Sequence, residues 1–170
     1  MELWDLYDEN GKRTGKYMKR GERTPKGYFH LCVEIWIIND KNEVLLTKRH
    51  PDKITYPLYW EATGGAASKG EDAFEAAFRE AQEETGLTLD KNFLFNIGSY
   101  RQHNWMMETF VYIQKGELYP QLHLQAEEVV DAKWVSVDDL DKETKTVEGK
   151  IERFLRNYPK VLKIREEMDN

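Results

Sequence analysis

"GGAASKGEDAFEAAFREAQEETGL", Gly64–Leu87, joins a glycine-rich lead to a helical run and a glycine stop. From about 71 to 85 the spacing predicts a helix. Ala73, Ala76, Ala77 and Ala81 form a small-residue stripe suited to close packing on a sheet. Gly86 suits the helix stop. On that helix Glu80, Glu83 and Glu84 stand at i, i+3 and i+4, so three carboxylates share one face. Each like-charge pair costs an isolated helix roughly 0.2–0.5 kcal/mol, and a helix C-terminus disfavours anions. One reading is a solvated acidic face; the other is a cation site. Three features bear on the choice. Gly64, Gly65 and Gly70 let backbone carbonyls approach an ion. Arg79 lies within reach of Glu71, Glu75 and Glu83, and the alanine stripe can pin the helix while the acids face a cleft. A hard divalent cation such as Mg²⁺ takes oxygen ligands, commonly a few carboxylates with water and substrate phosphate, and would turn the repulsion into attraction.

Outward from this segment, strands are predicted on both sides. In "YFHLCVEIWIIND" (28–40), Leu31, Val33, Ile35 and Ile37 alternate onto one face; His30, Cys32, Glu34 and Trp36 take the other. "NDKNE" (39–43) turns the chain into "VLLTKR" (44–49), a predicted hairpin. A polar loop with Pro51 and Pro57 leads to "YWEATGG" (59–65). Further strands are expected at 93–101, 107–115 and 131–137. "ELWDLYD" (2–8) and "ENGKRTG" (9–15) read as a strand and a turn, so residues 1–27 are expected to pack on a main domain of residues 28–158. Helix is expected from Val147 to about Met168, broken at Pro159, which sets off 159–170 as a helical tail. Strands around a central helix, with another helix at the end, predict an α/β fold with a mixed sheet.

Composition narrows the partners. The 170 residues carry a net charge of −6, from 25 Lys+Arg against 31 Asp+Glu. This argues against binding a nucleic-acid polymer through its backbone, but not against a small phosphorylated ligand held through metal ions. Cys32 is the one cysteine, which excludes an internal disulfide and a cysteine zinc cluster. No apolar run approaches ~18 residues. A cytoplasmic protein without a membrane partner is the simplest expectation.

The 64–87 segment resembles the Nudix box, G-x5-E-x7-R-E-U-x-E-E-x-G-U with U aliphatic. Gly65, Glu71, Arg79, Glu80, Glu83, Glu84, Gly86 and Leu87 stand at its fixed places, with Ala81 at the first U. The likeness extends over roughly Tyr28–Tyr158. It implies a Nudix-type α/β/α sandwich and hydrolysis of a diphosphate linkage in a nucleoside diphosphate derivative or related small diphosphate, with Mg²⁺ or Mn²⁺. Carried over by residue, Glu80 and Glu84 are metal ligands, and a carbonyl at Gly64 or Gly65 completes the site. Glu83 binds a further metal or a metal-bound water. Glu71 and Arg79 form an orienting ion pair, and Gly86 ends the helix. In this family the general base can lie in a later loop, which brings in Glu127 and Glu128, and more weakly Glu108, beside Glu83 and Glu84. Homodimers are common in the family.

Substrate contacts are expected from His30, from Lys48 and Arg49 as phosphate ligands, and from Tyr100 among the aromatic residues. Trp36 and Trp134 are expected in the core. A second likeness, of "HLCVEIWIINDKNEVLLTKR", "YW" and "EEVVDAKW", is to the isopentenyl-diphosphate isomerase branch of the superfamily. That chemistry uses a cysteine and a glutamate. The matching cysteine position is Gly64 and a nearby histidine position is Ala66, while His30 and Glu84 are kept. The readings outside hydrolysis are therefore an isomerase and a noncatalytic ligand-binding domain.

Overall fold

The structure, a computed structural model, describes residues 1–170. Its strands are β1 (Leu3–Tyr7), β2 (Arg13–Lys19), β3 (His30–Ile38), β4 (Glu43–Arg49), β5 (Trp60–Glu61), β6 (Thr63–Ala66), β7 (Leu94–Gln102), β8 (Trp105–Ile113) and β9 (Val129–Ser136). Its helices are α1 (Ala73–Thr85) and α2 (Lys150–Asp169). The main sheet runs β5-β4-β3-β8-β7, with β6 on β3 and β9 on β4. It is mixed: β3 and β8 pair in parallel from His30↔Trp105 to Ile38↔Ile113, and the other ladders are antiparallel.

The alternation in β3 decides the layers. Val33, Ile35 and Ile37 join Ala76, Ala77 and Ala81 of α1 in one core. Trp36 and Ile38 join Ile151, Phe154 and Val161 of α2 in the other. Period 2 puts successive side chains on opposite faces, so one strand feeds both cores and the result is an α/β/α sandwich. Trp36 is fully buried and stacks on Phe154 at 4.2 Å. Trp134 is only partly buried, against the α1-side core.

Three expectations are corrected. Strands β3 and β4 do not form an extended hairpin; they pair only at Ile38↔Val44, beside the turn. Beyond it β6 takes the edge of β3, while β4 pairs with β5 and β9. The N-terminal segment is a hairpin, not a strand and turn, because Arg13–Lys19 pairs with Leu3–Tyr7. Tyr7 and Phe29 exchange backbone hydrogen bonds and tie it to the main body.

The third correction concerns Pro159. Helix α2 runs through it, so no separate tail begins at 159. A mid-helix proline costs about 3 kcal/mol, but contacts on both sides hold the helix onto the sheet. Phe154 and Val161 are fully buried, Lys160 Nζ donates to the Ile97 carbonyl (2.7 Å), and Arg165 Nη2 to that of Asn39 (2.6 Å). Burying each large apolar side chain contributes ~1.5–3 kcal/mol, enough to offset the break.

Candidate active site

Helix α1 is fixed at both ends. At its start Asp72 and Glu75 form a reciprocal capping box, with N···O distances of 2.8 and 2.9 Å. At its end Gly86 adopts φ 76°, and its N–H donates to the Gln82 carbonyl at 2.9 Å. A Cβ there would lie 2.8 Å from His123 Cβ, so both conformation and space call for glycine.

Arg79 organises the acidic face. Its Nε and Nη2 donate to the two oxygens of Glu71 (2.7 and 2.9 Å) in a bidentate pair. Nη1 reaches Glu80 (2.9 Å) and Glu83 (3.1 Å), and Nη2 also donates to the Ala66 carbonyl (3.0 Å). Burial opposes ionisation of Glu71, but Arg79 and the Ser68 amide hold its carboxyl below the usual range. The same bonds raise Arg79 further above its ordinary value, against its burial.

Glu80 and Glu84 are buried, whereas the Glu83 carboxylate is 46% exposed. Glu84 accepts hydrogen bonds from Thr63 Oγ1 and from the Gly64 amide (3.2 Å). Burial nevertheless pushes its carboxyl up to about 8, with Glu61 and Glu80 adding repulsion. Burial raises Glu80 as well, opposed by Arg79. The carboxylates are held separately, by Arg79 and by the β6 backbone, and no three acidic or histidine groups converge on one point. Two of the three glutamates are thus buried, and the third, Glu83, lies on the rim.

The glycine lead fits these acids. A Cβ on Gly65 would sit 2.4 Å from Glu80 Oε1, so glycine there leaves room for the carboxylate. A Cβ on Gly64 would sit 2.1 Å from the Val33 carbonyl, so β6 can lie this close to β3 only without a side chain. Two buried oxygen donors beside an open backbone are the donor set a hard divalent ion takes. Glu80, Glu84 and the carbonyls at Gly64 and Gly65 suit such an ion.

These groups open into a cavity of about 380 Å³. Of the other expected residues, His30, Arg49 and Glu128 line it; Lys48, Tyr100, Glu108 and Glu127 do not. Lys48 is turned away by strand alternation: Thr47 and Arg49 face the cavity, and Lys48 lies over the Trp60 ring, 5.5 Å from its centroid. Tyr100 is held elsewhere by α2, through a 2.7 Å hydrogen bond from Arg153 Nη2. Glu108 accepts from Asn96 and Ser99. Arg49 is largely committed, to Glu61 and to the Thr55 carbonyl. Glu128 is paired with Arg20 (3.3 Å) and with Lys53. His30 stacks on Trp4 at 4.7 Å and bonds Thr24 at 3.1 Å; burial lowers its pKa.

Sequence reasoning missed part of the wall. Trp4 and Arg20 come from the N-terminal hairpin region, Lys53 and Glu61 from the 50–61 segment, and Lys150 from the first turn of α2. Lys150 pairs with Glu61 and lies 4.0 Å from Glu34. Burial opposes its charge, but those carboxylates hold its pKa above the ordinary value. Burial likewise opposes Glu61, which Lys150 and Arg49 hold below the carboxylate range. Only Glu61 had a local signal, as the acid in "YWEATGG".

Comparison with known proteins identifies the family and the fold. The family model described as NUDIX domain matches residues 28–158. An uncharacterized Nudix hydrolase of Listeria monocytogenes is 39% identical over 142 residues, covering 83% of each chain. An isopentenyl-diphosphate Delta-isomerase of Paenarthrobacter aurescens is 37% identical over 91 residues, 53% of this chain and 50% of that one. Among solved structures, DR0079 from Deinococcus radiodurans superposes with a TM-score of 0.74 at 18% identity, covering 92% of this chain and 99% of that one. No helix is long and apolar enough to cross a membrane. With the box residues on α1, the sandwich around them and a family match over residues 28–158, the chain belongs to the Nudix hydrolase family, whose members act on diphosphates and generally use a divalent metal ion.

Proposed function

We propose that this chain hydrolyses the diphosphate linkage of a nucleoside diphosphate derivative or related small diphosphate, with Mg²⁺ or Mn²⁺ held by Glu80, Glu84 and the Gly64–Gly65 backbone. The observation that carries the proposal is the packing of two buried carboxylates against strand β6, whose glycine at 65 leaves Glu80 its space. When bound, a divalent ion neutralises diphosphate charge and lowers the pKa of water.

The chain's own residues supply the rest. Arg79 fixes Glu80 and Glu83 in place. Glu84 Oε2 accepts from Thr63 and Gly64, which orients the carboxylate. Among the cations that line the cavity, Lys53 and Arg20 both pair with Glu128, and Arg20 also pairs with Glu2. In this reading a diphosphate entering the cavity competes with Glu128 for both, and a released Glu128, or Glu83 on the rim, accepts the proton from water. The test is turnover of a panel of nucleoside di- and triphosphates, dinucleotides and sugar nucleotides. EDTA should abolish activity and Mg²⁺ or Mn²⁺ restore it. Full activity in metal-free protein would refute the proposal.

A further inference from the structure

Charge is unevenly spread along the chain. Residues 10–29 carry seven Lys and Arg against one acid, Glu22, a net +6, which leaves −12 on the rest of a chain whose total is −6. Two of the seven are neutralised: Arg13 pairs with Asp5 (3.3 Å), and Arg20 with Glu2 and Glu128. Lys12, Lys16, Lys19, Arg23 and Lys26 are exposed and take part in no ion pair. Glu22 is engaged by the backbone, its Oε2 accepting from the Lys19 amide at 2.9 Å.

Two of these cations line a pocket of about 640 Å³ between the β2–β3 loop and the β7–β8 turn. Its polar lining is Arg23, Thr24, Lys26, Tyr28, His103 and Asn104, with no carboxylate among them. The frame is held by hydrogen bonds. The Tyr28 N–H donates to the Pro25 carbonyl at 3.1 Å and Gly27 takes φ 82°, which closes a tight turn with Lys26 at its tip. Asn104 Nδ2 donates to Thr24 Oγ1 (3.2 Å), and the Asn104 carbonyl accepts from the His30 N–H (3.2 Å), so loop and turn are tied together. Lys16 Nζ donates to the Tyr28 hydroxyl at 2.7 Å and brings a third cation to the wall. No hydrogen bond within the protein engages the side chains of Arg23, Lys26 or His103, whereas Thr24, Tyr28 and Asn104 are spent on the frame. This pocket shares no lining residue with the catalytic cavity; the Thr24–His30 hydrogen bond (3.1 Å) joins a residue of one to a residue of the other.

Uncompensated cations favour an anion, and the donors narrow its kind. Arg offers a planar fork to two oxygens, and Lys a point charge. A phosphoryl group carries about −1.5 to −2 charge near neutral pH and three acceptor oxygens. Arg23 and Lys26 together match that charge, whereas a carboxylate would leave one cation over. No aliphatic side chain except Pro25 lines the pocket, so nothing there anchors a lipid tail or an apolar protein face. We infer that the pocket is a second anion site, which binds the phosphoryl group of a small phosphate ester or short polyphosphate through Arg23 and Lys26, with His103 as a further donor.

The experiment titrates tripolyphosphate and glycerol 3-phosphate separately into the ¹⁵N-labelled full chain in EDTA and follows backbone amides by NMR. Saturable shifts should appear at residues 23–28, Pro25 excepted, and at 103–104. The double variant Arg23→Gln, Lys26→Gln should weaken binding at least about fivefold, and added NaCl should weaken the wild type more than the variant. Either ligand behaving so supports the site, and the tighter of the two names its source. Shifts confined to the catalytic cavity, around Gly64, Gly65 and Glu84, would overturn the inference. So would unchanged affinity in the double variant. Binding of phosphatidic-acid vesicles or of a single-stranded oligonucleotide at these amides, with neither small ligand bound, would also overturn it, in favour of a docking surface for a membrane or a polymer.

Discussion

Glu84→Gln gives the most direct test of the buried carboxylate. In the folded chain burial pushes Glu84 from its ordinary value of 4.5 up to about 8. Between those values the folded state holds a proton that the unfolded state has released. Stability of the metal-free protein therefore falls as pH rises through that window, and levels off above it. At pH 7 the difference spans about 2.5 pH units at ~1.4 kcal/mol each, an upper bound of about 3–4 kcal/mol. Glutamine keeps the shape, and its carbonyl oxygen can still accept from Thr63 and Gly64. For a chain of this size ~1 kcal/mol corresponds to about 2–4 °C in Tm. In EDTA at pH 8, Glu84→Gln should thus melt several degrees above wild type, and the gap should close towards pH 5. Saturating Mg²⁺ should reverse the order, because an ion bound only by the folded state stabilises the wild type. Turnover should fall by about 10²–10⁴. Scanning calorimetry across pH 5–9, with and without Mg²⁺, reads all of this. A variant no more stable than wild type in EDTA at pH 8, or one that keeps near-normal turnover, would refute the reasoning.

Gly65→Ala places a methyl group in the space of the Glu80 carboxylate; it should reduce kcat more than 10²-fold, with a stability loss of ~1–3 kcal/mol measurable by urea denaturation. Glu71→Gln removes charge from the bidentate partner of Arg79. It should lower both Tm and activity, by ~1–3 kcal/mol in stability, and unchanged thermal denaturation would count against the scaffold role. The chain should form no dimethylallyl diphosphate from isopentenyl diphosphate, and Cys32→Ser should retain hydrolysis within about threefold; an isomer product lost in Cys32→Ser, detected by mass spectrometry, would show the opposite.

The central helix and the two faces of β3 were legible because their signals are local. Alanine spacing and a terminal glycine both lie within the helix or beside it. The same locality exposed the Glu71–Arg79 pair. The cavity wall was less legible, since it depends on which strands meet. Lys48 and Arg49 are neighbours in sequence, and the face each takes follows from the pairing of β4 with β9 and β5. Strand β2 was missed because nearly every position in it is exposed, with Met18 alone buried, so it carries no half-buried alternation. Pro159 misled for the opposite reason. The local rule is sound, but the anchors that overrule it are distant in the chain: Ile97 is 63 residues from Lys160, and Asn39 is 126 from Arg165. Lys150 joins Glu34 and Glu61 only through the docking of α2.

The close approach of β6 to β3 bears on both the metal-type cradle and the expectation that the chain does not isomerise isopentenyl diphosphate. Gly64 pairs with Glu34, and any Cβ on it would meet the Val33 carbonyl. The position that carries the thiol in the resembled isomerases therefore has neither a side chain nor room for one unless the backbone shifts. That approach also brings the Gly64 amide to Glu84, the acid the isomerases share. Cys32 does line the cavity, opposite Ala66 in the ladder, but burial pushes its thiol up to about 12. A thiol so held stays protonated near neutral pH and is a poor proton donor. Moving a double bond needs one group to give a proton and another to take one on the opposite face of the substrate, and Glu84 cannot fill both roles. Attack on phosphorus asks less of this frame: carboxylates to position charge, cations to receive the diphosphate, and one acceptor for the proton of water. Those groups are what the short β6–β3 contact, Arg79 and the cavity wall bring together.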